Sequence, residues 1–272
     1  MKTKKAIFFI WLLLVSYLVL LLNRGLGAEK YFILKIIFLF GPLLGIIISV
    51  AVANLYGKAS VHRKSYVYFA VGMLCIFLGE LILLLFEMGW IVKAFFLPDI
   101  FNLLSYLAFF GATYNEIKLG GIKIFAKKNF YWFGLFLVAG VVVFAFEKDF
   151  ISFSLQSRAP LLLIYSIFDL GLLFACIILM IIAREYKQGR MSKPWLILGL
   201  ASICLLFGDI LSVISNSRTS NDLAIKEIVY LVWLAGVLVY VLAMSHFSQI
   251  LIEKREEIIS KTEEQKNNKI LV

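Results

Sequence analysis

Apolar runs of 17 to 25 residues alternate along this chain with short polar connections. Runs of that length cross about 30 Å of hydrocarbon as helix, and a helix satisfies its backbone N–H and C=O groups within one segment. The pattern predicts eight transmembrane helices, at 6–22, 31–55, 66–88, 98–117, 130–146, 160–183, 194–215 and 227–247. Connections of 13 residues or fewer make successive helices antiparallel neighbours and leave no room for a separate soluble domain. The expected fold is therefore all-α and polytopic.

Composition agrees. The 272 residues are 62% hydrophobic and 16% charged, more apolar surface than a soluble domain of this size can hide. The net charge of +10 would suit nucleic acid if it were clustered on one surface, but its distribution argues against that partner. The N-terminus, alternate loops and the C-terminal segment carry 19 Lys and Arg residues, and the other four loops carry 7. That bias predicts a multi-pass protein of the cell membrane with both termini in the cytoplasm, its basic loops against anionic headgroups. Met1 to Leu22 has the basic start and apolar run of a signal peptide. The run is long for one, and no small-residue cleavage pattern follows, so it is expected to stay as the first helix. Cys75, Cys176 and Cys204 lie singly within spans and read as packing residues. Neither a metal nor a cofactor is expected.

A shift of 129 positions lays RKSYVYFAVGMLCIFLGELI (Arg63 to Ile82) over SKPWLILGLASICLLFGDIL (Ser192 to Leu211). Gly79 then meets Gly208, and Glu80 meets Asp209. After one residue of slippage Asp99 meets Glu227. The chain is read as two four-helix repeats, 1–126 and 127–247, related by an axis along the membrane normal, followed by a cytoplasmic charged helical tail, 248–272.

The repeat draws attention to acids inside apolar runs. Glu80 and Asp209 lie about 9 Å below the outer edge of their helices, and Asp169 about 13 Å below. Asp99 and Glu227 open the fourth and eighth spans, and Lys35 is the one cation at similar depth. An ionised acid at mid-span costs about 2.5–3.5 kcal/mol, so these side chains are expected to face one another, Lys35, water or a ligand rather than lipid. Asp99, Asn102 and Tyr106 share one helix face at i, i+3 and i+7, and Tyr230 follows Glu227 by three. The candidate ligand-binding set is thus Glu80, Asp99, Asn102, Tyr106, Asp169, Asp209, Glu227, Tyr230 and Lys35, in an acidic pocket open to the extracytoplasmic side. Simpler roles compete. Asp99 and Glu227 suit helix N-termini, Glu80 and Asp209 could lock helices together, and Lys35 could snorkel to the interface. His62 and His246 read as interfacial, and Trp90, Trp132 and Trp195 as an aromatic belt.

A Gly-acid helix, a short outer loop, then an acid opening an aromatic-rich helix resembles the eight-helix integral membrane sensor regions that precede diguanylate cyclases and histidine kinases in prokaryotes. The residues carrying the resemblance are Gly79, Glu80 and LPDIFNLLSY with Asp99, Phe101, Leu104 and Tyr106, then Gly208, Asp209 and Glu227. Glu80 stands where those regions carry Asp. The resemblance implies a sensor-like module that binds a small molecule or cation from the outer face and acts through a separate signalling or membrane partner protein. The polar segment SQILIEKREEIISKTEEQKNNKILV (Ser248 to Val272) reads as a frayed helical tail rather than a coiled coil, because only Leu251/Ile258 and Ile252/Ile259 repeat at seven.

Two rival functions remain. IYSIFDLGLLF (Ile164 to Phe174) with LLFGDILS (Leu205 to Ser212) is similar to the paired acid helices of intramembrane aspartyl proteases, which would make Asp169 and Asp209 catalytic. The eight-helix lysoplasmalogenase-like family also pairs Gly-Asp helices. A small cation-coupled transporter is the third class, with Gly41-Pro42 as its sole helix interruption.

Overall fold

A computed structural model describes residues 3–22, 27–58, 60–91, 96–121, 159–186, 189–217 and 223–270. They form seven helices: α1 (Thr3–Leu22), α2 (Gly27–Leu55), α3 (His62–Glu87), α4 (Leu97–Gly120), α5 (Ala159–Glu185), α6 (Ser192–Ser217) and α7 (Leu223–Ile270). The predicted span at 130–146, with Trp132, lies outside the described residues. Five helices, α2, α3, α5, α6 and α7, are long and apolar enough to cross a membrane. The chain is all-helical as described, and its apolar helices mark a lipid bilayer as their environment. Neither α1 nor α4 belongs to that group. The apolar stretch of α1, Ile7–Leu20, is shorter, and α4 carries Asp99, Asn102, Asn115 and Glu116 within its 24 residues.

Six helices close a ring. Going round it, α2 packs on α3, α3 on α4, α4 on α5, α5 on α6, α6 on α7, and α7 back on α2. α1 docks outside, against α7 and α2. There Tyr17 is fully buried and its hydroxyl donates to the Glu227 carbonyl at 2.7 Å. The inward faces form a continuous core running from Leu34 and Phe38 on α2 through Met73 on α3 to Leu234 and Tyr240 on α7.

Small residues set how closely the helices approach. On α2, a Cβ at Gly41 would lie 3.1 Å from Val237 Cγ1, and one at Gly45 would lie 3.0 Å from Met73 Cγ. Pro42 removes one backbone donor, yet α2 stays helical through it, since packing on both sides holds the segment.

Two elements differ from expectation. α7 runs unbroken to Ile270, so the helical tail is one piece with the last span and is not frayed from it. It extends a helix already nucleated in the bundle, and Glu257–Lys261 adds an i,i+4 pair at 2.7 Å. Trp195 is buried against Phe247, with ring centroids 4.9 Å apart, and is not part of an aromatic belt. Trp90, by contrast, is exposed. The three cysteines are free, Cys75 and Cys176 buried and Cys204 half-buried.

The close approach of α2 to α7 makes one expectation concrete. Gly41→Leu must push against Val237 and Leu234, and should lower stability by about 1–3 kcal/mol, read as a fall in the thermal unfolding midpoint in detergent. An unchanged midpoint would show that α2 does not sit where the ring places it.

Candidate functional site

One end of the ring collects the acids, and each finds its donor on another helix. Tyr230 on α7 donates to Glu80 on α3 at 3.0 Å. Tyr106 on α4 donates to Asp209 on α6 at 2.7 Å and faces Asp169 on α5 at 3.0 Å. Tyr165 on α5 donates to Asp99 on α4 at 2.8 Å. Trp233 on α7 donates its indole N–H to the second oxygen of Asp209 at 2.9 Å. The remaining acids take lysines from α2: Lys30 pairs with Glu227 at 3.0 Å, and Lys35 pairs with Glu87.

These ties follow two rules. The Tyr230–Glu80 and Tyr106–Asp209 bonds join α3 to α7 and α4 to α6, helices that are not neighbours in the ring, so both cross its interior. Asp99 and Glu227, near the starts of α4 and α7, instead take donors from the adjacent helices α5 and α2. The correspondence is one of pattern. Tyr106 and Tyr230 are offset by 124 positions, one helical turn short of the 128 that relates Asp99 to Glu227.

The predicted set therefore divides in space. Asp169, Asp209 and Tyr106 meet directly. Glu80 and Tyr230 form a second centre, joined to the first through the edge-on contact of Tyr230 with Trp233, centroids 5.4 Å apart. Lys35 is only 4% exposed and lies over the rings of Tyr31 and Tyr230, at 4.8 and 5.5 Å, so it points into the bundle instead of snorkelling out. Asp99 with Tyr165 and Glu227 with Lys30 stand at the margin. Glu227 is the fifth residue of α7, because that helix begins at Leu223, which removes it from the first-turn position expected of it. Asn102 packs against the glycine next to Glu80, its Oδ1 2.8 Å from where a Gly79 Cβ would lie.

Tyr106 is the chemical centre. A neutral phenol has one proton and faces two carboxyl oxygens. Either the one O–H is shared between both oxygens in a three-centre bond, or one carboxyl carries a proton and donates it back to the phenol oxygen. Asp169, 2% exposed, has no acidic counterpart in the repeat alignment. Phe40 occupies the aligned position and is half exposed on the outside of α2. The acid–phenol–acid grouping is thus a departure from the repeat, not a product of it.

Four of these partners escaped the sequence reading: Lys30, Glu87, Tyr165 and Trp233. Lys30, Glu87 and Tyr165 sit within about two turns of a helix end, where polar and aromatic residues are ordinary at a membrane interface, and Trp233, about three turns into α7, reads as a packing aromatic. Their one available signal was a level matching that of an acid on the next helix, as with Lys30 and Glu227.

The glycines beside the acids bring the helices into contact. A Cβ on Gly208 would overlap the indole of Trp233, the donor to Asp209. Gly111, equally helical, has only ordinary contact room at 3.7 Å from Tyr68. Gly208→Ala should cost about 1–3 kcal/mol, whereas Gly111→Ala should be neutral or stabilising by up to about 1 kcal/mol. Thermal unfolding of the two variants in detergent checks this, and equal effects would contradict the placement of Trp233.

No family model, curated protein or solved structure matches this chain.

Proposed function

We propose that this protein is a membrane sensor-like module of eight spans in two parallel four-helix repeats, with both termini cytoplasmic. Its acid–tyrosine network binds a small molecule or cation from the extracytoplasmic side, and its output passes through a separate partner protein. The paired cross-ring ties support the repeat, because the acids of Gly79-Glu80 and Gly208-Asp209 each take a tyrosine from the last helix of the other half. One observation carries the binding reading. The single phenolic oxygen of Tyr106 lies between Asp169 and Asp209, so two carboxyl groups and a phenol from three helices converge at one point, an oxygen-rich set of the kind that holds a proton or a positively charged group. Half-buried Asp99 and Asp209 form its accessible margin.

The same convergence of Asp169 and Asp209 favours intramembrane hydrolysis as a second reading. Two carboxyl groups that share a proton and hold a water form an aspartyl-type catalytic pair. Here the phenol occupies the position between them, so hydrolysis requires Tyr106 to withdraw. Ligand binding requires no such step and stands first.

Native mass spectrometry of protein purified in mild detergent tests the choice. The wild-type protein should retain a small-molecule or cation adduct that Asp169→Asn and Asp209→Asn lose while keeping their helical content. Identical spectra for all three proteins would sink the binding reading. Accumulation of an uncut membrane substrate in the variants would favour hydrolysis, and loss of ion flux in proteoliposomes would favour transport.

A further inference from the structure

At the opposite end of α4 lies another buried carboxylate, apart from the acids of the network. Glu116 is 2% exposed, and both its oxygens face the Nδ1 of His62, at 3.2 and 3.1 Å. His62 opens α3 and keeps 38% of its side chain exposed. One member of the pair is sealed, and the other exchanges protons with water. An imidazolium gives Glu116 a counter-charge, whereas a neutral imidazole offers at most one uncharged N–H to a buried carboxylate. Histidine passes between these forms at about pH 5–8.

The pair is surrounded by groups that hold their charge state over that interval. Tyr56, between α2 and α3, stacks on the imidazole at 5.5 Å and on Tyr66 at 5.1 Å. Burial pushes the Tyr56 phenol up to about 12. Tyr186, just past α5, also feels Glu116, and burial raises its phenol further from neutrality. Arg63 and Lys64 follow His62 on α3 as cations, and Asn115 beside Glu116 donates to Ser65 at 2.6 Å.

The stack continues to the root of the polar helix. Tyr66 meets Phe247 edge-on at 5.3 Å, and Phe247 meets Trp195 at 4.9 Å. Phe247 is fully buried, while every residue from Glu253 to Thr262 is exposed. The packing of Phe247 therefore fixes the direction in which α7 leaves the bundle, helped by an exposed Arg190–Glu253 pair at 3.1 Å.

We propose that His62 and Glu116 form a pH-sensitive latch that holds the root of the α7 extension. Protonated His62 ties the start of α3 to the end of α4 and keeps the Tyr56–Tyr66–Phe247 stack closed. Rising pH neutralises His62, leaves Glu116 buried without its counter-charge, and loosens the stack and the extension with it. This device is independent of the ligand reading, since none of its residues belongs to the acid–tyrosine network.

Hydrogen exchange of the full chain in lipid nanodiscs, corrected for intrinsic rates, tests the latch between pH 5.5 and 8. Protection of residues 62–66, 115–119 and 248–254 should fall roughly tenfold as pH rises. His62→Phe keeps a ring on Tyr56 but no proton, and Glu116→Gln removes the charge that the proton answers; both should abolish the pH dependence. His62→Lys, with a fixed positive charge, should keep the high protection at both ends of the range. Position 62 is half exposed, so its two variants are expected to fold even if Glu116→Gln does not. Wild-type protection that does not change with pH overturns the proposal, as does a pH dependence undiminished in His62→Phe.

Discussion

A carboxylate placed among apolar helices must be answered by a donor, and in this chain the donors come from other helices. Six acids at one end of the ring are met by three tyrosines, a tryptophan and two lysines, each bond or ion pair joining two different helices. A hydrogen bond to a charged group contributes about 1.5–3 kcal/mol, and removing its partner leaves a buried charge that costs more. Apolar packing has little power to choose between helix arrangements in lipid, because a lipid tail is as apolar as leucine. The directional ties supply that choice. α3 and α7, and likewise α4 and α6, are held at a distance across the ring by Tyr230 and Tyr106. Neighbouring helices close up through glycine.

This division explains what was legible in the sequence. The acids announced themselves, since Glu80, Asp169 and Asp209 in apolar runs need an explanation wherever they point. Helix positions were equally plain. The expected limits of α2, α3, α5 and α6 fall within about four residues of those observed, because long apolar runs leave little freedom. Half of the donors were hidden: Tyr106, Tyr230 and Lys35 stood out beside the acids, but Lys30, Tyr165 and Trp233 carry an ordinary interfacial or packing reading. Trp195 shows the error from the other side. It stands at the expected edge of a span, but α6 starts three residues earlier and turns the indole onto Phe247.

Registry was the part least accessible to pattern. Aligning the two halves matches Glu80 with Asp209, yet their tyrosines come from positions one turn apart. A tyrosine reaches across a ring from either of two successive turns, so an alignment of helix positions cannot say which phenol meets which acid. Asp169 lies beyond any repeat argument, because its aligned partner Phe40 faces outward. Its meeting with Asp209 depends on α5 packing between α4 and α6, a tertiary fact.

α4 links the two polar ends of the bundle. Tyr106 and Glu116 are ten residues apart, about 15 Å along a helix. Between them Thr113 donates to its own helix at the Phe109 carbonyl, and across from it Ser202 donates likewise to Leu198. A small cavity between these helices, about 20 Å³, has room for about one water and is walled mainly by apolar side chains such as Phe109, Leu179 and Leu198. Among the described residues no hydrogen-bonded chain joins Tyr106 to Glu116 through this middle layer. The two polar ends are therefore joined along α4 by its own backbone and by apolar packing, with a phenol contact toward one end and a buried carboxylate at the other.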